Sequence, residues 1–204
     1  MEYHNTTLFA LPGGFVGMDE DLDNAVRKGL AERTGLSNIY LEQFYTFGNV
    51  ARHKPEVMDT ILRANGEDPK KKYNWMLDRF ISVGYYALIN YKDVVPKPDA
   101  LSDSCEWYSI KKLPKLILDH RQIVEKAIHT LRDNLDRKLV SGNLLPDKFT
   151  MKELQNVYEA ILATKLRRTT FQRKMLASEV LVRHEKKYSG KAHKAPFLYS
   201  FIKK

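Results

Sequence analysis

An α/β sandwich followed by a winged helix-turn-helix domain is the fold class this sequence predicts, and three observations carry the prediction. Up to about residue 140, strand-like runs alternate with amphipathic helical segments, the order of a layered α/β domain. From residue 141 the order changes to two helices and then two short apolar runs separated by a basic loop. Charge divides at nearly the same place. Lys+Arg against Asp+Glu is 21 against 21 over residues 1–149 and 13 against 4 over residues 150–204, so the whole formal +9 lies in the last 55 residues. A chain of 204 residues can hold one or two domains, each with its own core.

Composition excludes several classes. No apolar run approaches membrane-spanning length, and Met1-Glu2-Tyr3-His4 has no basic-then-apolar leader, so the expected location is the cytoplasm. A single cysteine, Cys105, rules out an internal disulfide and a cysteine-based zinc site. The six histidines show no HxxxH or HExxH spacing, and no serine sits in a nucleophile elbow, so neither a histidine metal site nor a covalent mechanism is expected.

The first informative stretch is Leu11 to Leu36, LPGGFVGMDEDLDNAVRKGLAERTGL. A Gly-Gly turn leads into an acidic helix start (Asp19, Glu20, Asp21, Asp23), then an apolar stripe of Leu22, Ala25, Val26 and Leu30, and Gly35 closes the helix. Carboxylates in the first turn and cations near the last complement the helix dipole, while glycine accepts the left-handed conformation of a helix end. The spacing resembles the Nudix box, in which glutamates of one helix hold magnesium against a pyrophosphate. Gly14, Glu20, Leu30, Glu32, Gly35 and Leu36 match it, whereas Lys28, Gly29 and Arg33 stand where the pattern has Arg, Glu and Glu. Positions 29, 32 and 33 leave a helix on one face. Exchanging two glutamates there for glycine and arginine takes the formal net charge of the face from minus three to zero, and a hard divalent cation needs that negative charge. No metal site, no cofactor and no catalytic residue are therefore expected. A surface helix with accidental spacing is the plainer alternative.

Only about ten residues precede the LPGG turn, where Nudix folds, as the resemblance implies, usually carry strands; an N-terminally truncated sandwich with an unpaired sheet edge is expected. Asn38 to Val50 reads as a strand ending near Gly48, and Ile81 to Tyr91 as another. Between them, Ala51 to Phe80 reads as an insertion, with Pro55 and Glu56 opening a short helix through Val57, Ile61 and Leu62 that Gly66 closes. Lys70-Lys71-Lys72 within it reads as a solvated loop. Cys105 to Ser109 looks like one more strand. Asp119 can cap a helix from His120 to about Arg137, with Ile123, Val124, Ala127, Ile128, Leu131 and Leu135 at helical spacing.

Near Ser141-Gly142-Asn143 the pattern changes, which divides the chain into domains 1–140 and 141–204. Thr150 with Glu153 makes a capping box, and Phe149 and Leu154 hold the flanking hydrophobic-staple positions. Thr169 with Gln172 is a second such box. Val180 to Val182 and Phe197 to Phe201 then read as two strands joined by EKKYSGKAHKAP. Helix, short connection, helix and a hairpin with a basic tip is the order of a winged helix, whose second helix enters the major groove with its N-terminal residues on base edges. Those residues would be Thr169, Thr170, Gln172 and Arg173, of types suited to base readout, while Arg167, Arg168, Lys174, Lys186, Lys187, Lys191 and Lys194 would face phosphates.

Taken together, NLLPDKFTMKELQNVYEAIL, TTFQRKML, APFLYSF, WYSIKKLPKLILDH and SVGYYALIN resemble the Nudix-related transcriptional regulators of the NrtR and AraR type. The resemblance covers most of residues 8–201 except 51–80. It implies a Nudix-like effector domain without hydrolysis, an effector that is an ADP-ribose-type nucleotide or a sugar such as arabinose, and a homodimer on a palindromic double-stranded DNA operator. The rival reading is a magnesium-dependent Nudix hydrolase acting on a nucleoside diphosphate derivative such as ADP-ribose, through Glu20, Glu32 and a carboxylate outside the box. A third is a truncated paralogue without function.

Overall fold

The structure, a computed structural model, describes residues 1–37, 39–71, 74–138, 144–188 and 195–202. The chain divides into two compact units, Met1–Ala127 and Ile128–Lys204. The domain boundary expected at 141–143 lies outside the described residues.

In the N-terminal unit the described strands form two antiparallel ladders. β1 (Glu2–Tyr3) pairs with β4 (Ser102–Ser104), and β2 (Leu41–Phe47) pairs with β3 (Ser82–Ala87). Both long runs that read as strands are strands. Cys105 to Ser109 is not: the ladder ends at Ser104, and the next aromatic side chains find separate anchors. Trp107 Nε1 donates to the Val94 carbonyl at 3.1 Å, and Tyr108 meets Phe9 edge-on. In β2 the register slips between Gln43 and Tyr45, and the bulged Phe44 lies over Gly84 of β3. A Cβ at position 84 would stand 2.6 Å from the Phe44 ring and 2.9 Å from the Phe47 ring, so a side chain there would force one or both rings to move.

α1 (Leu22–Thr34) ends on Gly35 at φ +70°, whose N–H donates to the Ala31 carbonyl, as its sequence predicts. None of its residues is buried, so the apolar stripe of this helix is only partly covered. The core is supplied instead by the stretch that reads as an insertion. α2 (Pro55–Ala64) starts on its proline, and Gly66 follows it at φ +74°. Its Ile61 and Leu62 are wholly buried, Ile61 in a cluster with Ala10 and Ile117. Arg52, just before α2, joins this region together. Its Nε and Nη2 bond both carboxylate oxygens of Asp119, at 2.9 and 3.1 Å, and its Nη1 donates to the Phe47 and Phe80 carbonyls and to Ser82 Oγ. Asp119, which reads as a helix cap, therefore spends its carboxylate on a buried ion pair. α3 (His120–Asp133) follows it and stops earlier than its stripe suggested, with a short α4 (Leu135–Lys138) after it.

The C-terminal unit orders its strands β5-β7-β6, with β5 (Phe149–Thr150), β6 (Leu181–Lys186) and β7 (Phe197–Phe201) all antiparallel. α5 (Met151–Leu162) and α6 (Arg168–Ala177) lie between β5 and β6 in the chain. The capping box at α5 is complete: Thr150 Oγ accepts from the Glu153 N–H at 3.2 Å, and Glu153 Oε2 accepts from the Thr150 N–H. Phe149 and Leu154, the staple pair, are fully buried in one core with Leu135, Tyr158, Phe171, Met175 and Tyr199. Hydrophobic burial of this kind stabilises by about 1.5–3 kcal/mol per large side chain.

Candidate nucleic-acid interface

The turn between α5 and α6 decides which residues of α6 face outward, and a buried polar clamp shapes it. Ala163 closes α5 in the left-handed region at φ +54°. Glu159 Oε1 accepts from the Leu166 N–H at 3.1 Å and from Gln155 Nε2 at 2.8 Å, while Gln155 Nε2 also donates to the Leu166 carbonyl at 2.9 Å. Lys165 Nζ approaches Glu159 Oε2 at 2.9 Å. Lys165, then the Leu166 N–H and Gln155, hold the Glu159 carboxyl down at about 2. With both backbone groups of Leu166 occupied, Arg167 is the last extended residue, and the first helical bond runs from the Phe171 N–H to the Arg167 carbonyl at 2.9 Å. α6 thus begins ahead of Thr169. The second capping box read at Thr169 and Gln172 does not form, because Thr169 lies one residue inside the helix.

Phe171 and Met175, four residues apart, bury one side of α6, with Phe171 edge-on to Tyr158. The opposite side carries Thr169, Thr170 and Arg173, all exposed, while Gln172 is turned half into the unit. Three of the four residues expected at base edges therefore share the outer face. Arg167 and Arg168 are exposed at the helix start, where unpaired backbone N–H groups and the positive end of the helix dipole favour an anion.

The remaining cations differ in what already holds them. Lys174 Nζ is 2.7 Å from Asp136, and Lys187 Nζ is 3.4 Å from Glu153. The Thr150 N–H, then the Thr150 hydroxyl and Lys187, hold the Glu153 carboxyl below the usual carboxylate range. Lys186 lies over the Phe197 ring, and Lys187 closes the hairpin by donating its N–H to the Pro196 carbonyl. Lys191 and Lys194 fall outside the described residues. Among the described residues, Arg167, Arg168 and Arg173 have no carboxylate partner. Sequence reasoning missed Arg183, which is exposed and stacks 3.9 Å from the Phe197 ring centre, and Lys148, which pairs with Glu185 at 2.8 Å. The alternation of β6 was the available signal for Arg183.

The stretch whose spacing resembles a Nudix box lies in the N-terminal unit. Gly14 is in an exposed loop, Glu20 Oε2 accepts from the Gly17 N–H at 3.3 Å, and Lys28 and Glu32 are exposed on α1. A Cβ at Gly29 would meet nothing within 4 Å, so no crowding requires glycine there. Arg33 Nη2 bonds Asp99 at 3.0 Å in a largely covered pair, and the Arg33 carbonyl accepts from the Lys97 N–H. Among the described residues, no three histidine, cysteine or acidic side chains group closely enough to hold a metal ion. No helix among them is long and apolar enough to cross a membrane.

Residues 141–201 match the family described as the NrtR DNA-binding winged helix domain. The ADPR responsive transcriptional repressor NtrR of Acinetobacter baylyi is 32% identical over 183 residues, which is 88% of this chain and 64% of that protein. The chain thus spans a little under two thirds of this relative. The crystal structure of Shewanella oneidensis NrtR superposes with a TM-score of 0.61 at 28% identity, covering 98% of this chain and 84% of the other. NrtR of the same organism complexed with a 27mer DNA gives 0.60 at 28% identity, over 96% and 80%. A MutT/nudix family protein from Enterococcus faecalis gives 0.58 at 19% identity, over 97% and 76%, a likeness of fold. The resemblance to the Nudix-related regulators and the fold of a Nudix-like α/β unit with a winged helix are both borne out.

Proposed function

We propose that this chain is a ligand-responsive, sequence-specific DNA-binding transcriptional regulator whose N-terminal unit senses a small molecule and does not hydrolyse it. The observation that carries the reading is the outer face of α6. Arg167 and Arg168 reach phosphates at the helix start, and Thr169, Thr170 and Arg173 meet base edges, with Gln172 at the margin. Lys186 adds positive charge toward the DNA backbone, and Lys191 and Lys194 are assigned the same part from the sequence alone. The clamp of Glu159 and Gln155 supports this role, since base readout requires a rigidly presented helix.

Within the N-terminal unit, the face that needs three carboxylates carries Gly29, Glu32 and Arg33, and Arg33 is engaged with Asp99. An arginine at that place opposes a magnesium ion. The relative whose name records an ADPR response makes an ADP-ribose-type nucleotide the first effector to test, ahead of a sugar. The regulator acts as a homodimer on a palindromic operator, and the effector changes operator affinity through a coupling of about 1–3 kcal/mol.

The test is fluorescence anisotropy of the full chain on a labelled duplex taken from upstream of its own gene, with and without ADP-ribose or arabinose. The reading expects preference for that duplex over a scrambled one and an effector-dependent change in Kd of about 5- to 150-fold. Equal binding to both duplexes, or release of AMP from ADP-ribose with magnesium that disappears in Glu32→Gln, would overturn it.

A further inference from the structure

Asp136 and Lys174 differ from the other charged pairs of the C-terminal unit in what they connect. Asp136 lies on α4, immediately after the helix that begins at His120 in the N-terminal unit. Its two carboxylate oxygens have separate partners: Oδ1 accepts from the Tyr158 hydroxyl of α5 at 3.0 Å, and Oδ2 accepts from Lys174 Nζ of α6 at 2.7 Å. Four residues earlier, Arg132 Nε donates to the Ile161 carbonyl of α5 at 2.8 Å, and between them Leu135 is buried in the core. One short segment therefore grips both helices of the helix-turn-helix. It does so at the edge of a cleft of about 300 Å³, whose lining includes Tyr158, Arg167 and Thr170.

Both members of the ion pair are more than half exposed, at 57% and 58%, so the pair adds little to stability. Its effect falls instead on where a positive charge can go. Lys174 follows Thr170 by one helical turn, so a duplex lying along the outer side of α6 brings a phosphate strand within reach of its flexible stem. The ammonium can serve the phosphate or Asp136, and the carboxylate is already in place because the Tyr158 hydroxyl pins its other oxygen.

Resting on the reading of α6 as the helix that meets DNA, we propose that Asp136 is an intramolecular competitor for DNA phosphate, withholding the Lys174 charge from the duplex and fixing the flank of α6 to the segment that leaves α3. Lys174 is thereby a latch residue, and the uncompensated arginines carry the electrostatic affinity. Displacing that segment hands the recognition helix one more phosphate cation.

The experiment measures the salt dependence of binding to a labelled duplex of random sequence for the full chain, Asp136→Asn, Lys174→Ala and the double variant. Asparagine keeps an acceptor for Tyr158 and removes only the charge. Each phosphate cation contributes about 0.9 to the slope of log Kobs against log salt. The proposal expects Asp136→Asn to steepen the slope by about 0.9 and the double variant to return it to the wild-type value. If Lys174 already contacts phosphate in the wild type, Asp136→Asn leaves the slope unchanged and the double variant makes it shallower by about 0.9, which overturns the proposal. Failure of the wild-type chain to bind any duplex would instead overturn the regulator reading itself, so the two failures are distinguishable.

Discussion

Removing Arg167, Arg168 and Arg173 together should change how DNA binding responds to salt, and the structure sets the size of the change. These three are exposed and lack a carboxylate partner, whereas Lys148 and Lys187 are matched to Glu185 and Glu153. Neutralising a phosphate with an uncompensated cation releases a condensed counterion and adds about 0.9 to the slope of log Kobs on log salt. A cation that must first leave a carboxylate adds less. Three alanines at 167, 168 and 173 should therefore flatten the slope by about 2.7. Between about 50 and 200 mM salt, the variant's affinity should fall about 40-fold less than that of the wild type. The control is Lys148→Ala with Lys187→Ala, expected to move the slope by less than about 0.5. Both are read by anisotropy on one duplex over a salt series, with circular dichroism to check folding. A triple variant with the wild-type slope, or a control that flattens as much as the triple, would refute the reasoning.

The other predictions concern the scaffold. Arg52→Met should destabilise the N-terminal unit by about 3–5 kcal/mol in urea, since it strands a buried Asp119 and unpairs the Phe47 and Phe80 carbonyls; a loss below about 1 kcal/mol would show that the ion pair is dispensable. Gly84→Ala drives a methyl into the Phe44 ring and should cost about 1–3 kcal/mol, with Phe44→Ala expected to relieve the clash in the double variant. Burial, followed by the charge of Arg52, pulls His120 down to about 4, and its Nδ1 accepts the Leu11 N–H. The folded group thus binds its proton more weakly than the unfolded one. Stability is complete above about pH 6.5 and is lost as pH falls toward about 4, amounting to about 2 kcal/mol at pH 5. His120→Asn should flatten that part of the urea midpoint profile, and an unchanged profile would remove His120 as its origin.

The second domain was the most legible part of this chain because its signals are local. A capping box and its staple involve residues within five positions of one another, so Phe149, Thr150, Glu153 and Leu154 declare α5 without help from the rest of the fold. The helix α1 was legible for the same reason, from its acidic start to Gly35. Where an assignment depended on distant partners, it shifted. Asp119 reads as a cap until Arg52, 67 positions away, takes its carboxylate. Thr169 reads as a cap until Glu159 and Gln155 fix Leu166 and start the helix earlier. Residues 51–80 read as an addition to the fold, yet Ile61 and Leu62 within them are among its most buried side chains.

The sequence by itself determined the order of elements, the charge asymmetry and the presence of Gly29 and Arg33 on the face of α1 that also carries Glu32, since each is a property of residue type and spacing. Only the tertiary structure decided which cations remain available to a polyanion. Lys174, Arg167 and Lys187 look alike along the chain, and a partner within 4 Å separates them, because the field a positive charge presents outward is set by the nearest negative charge.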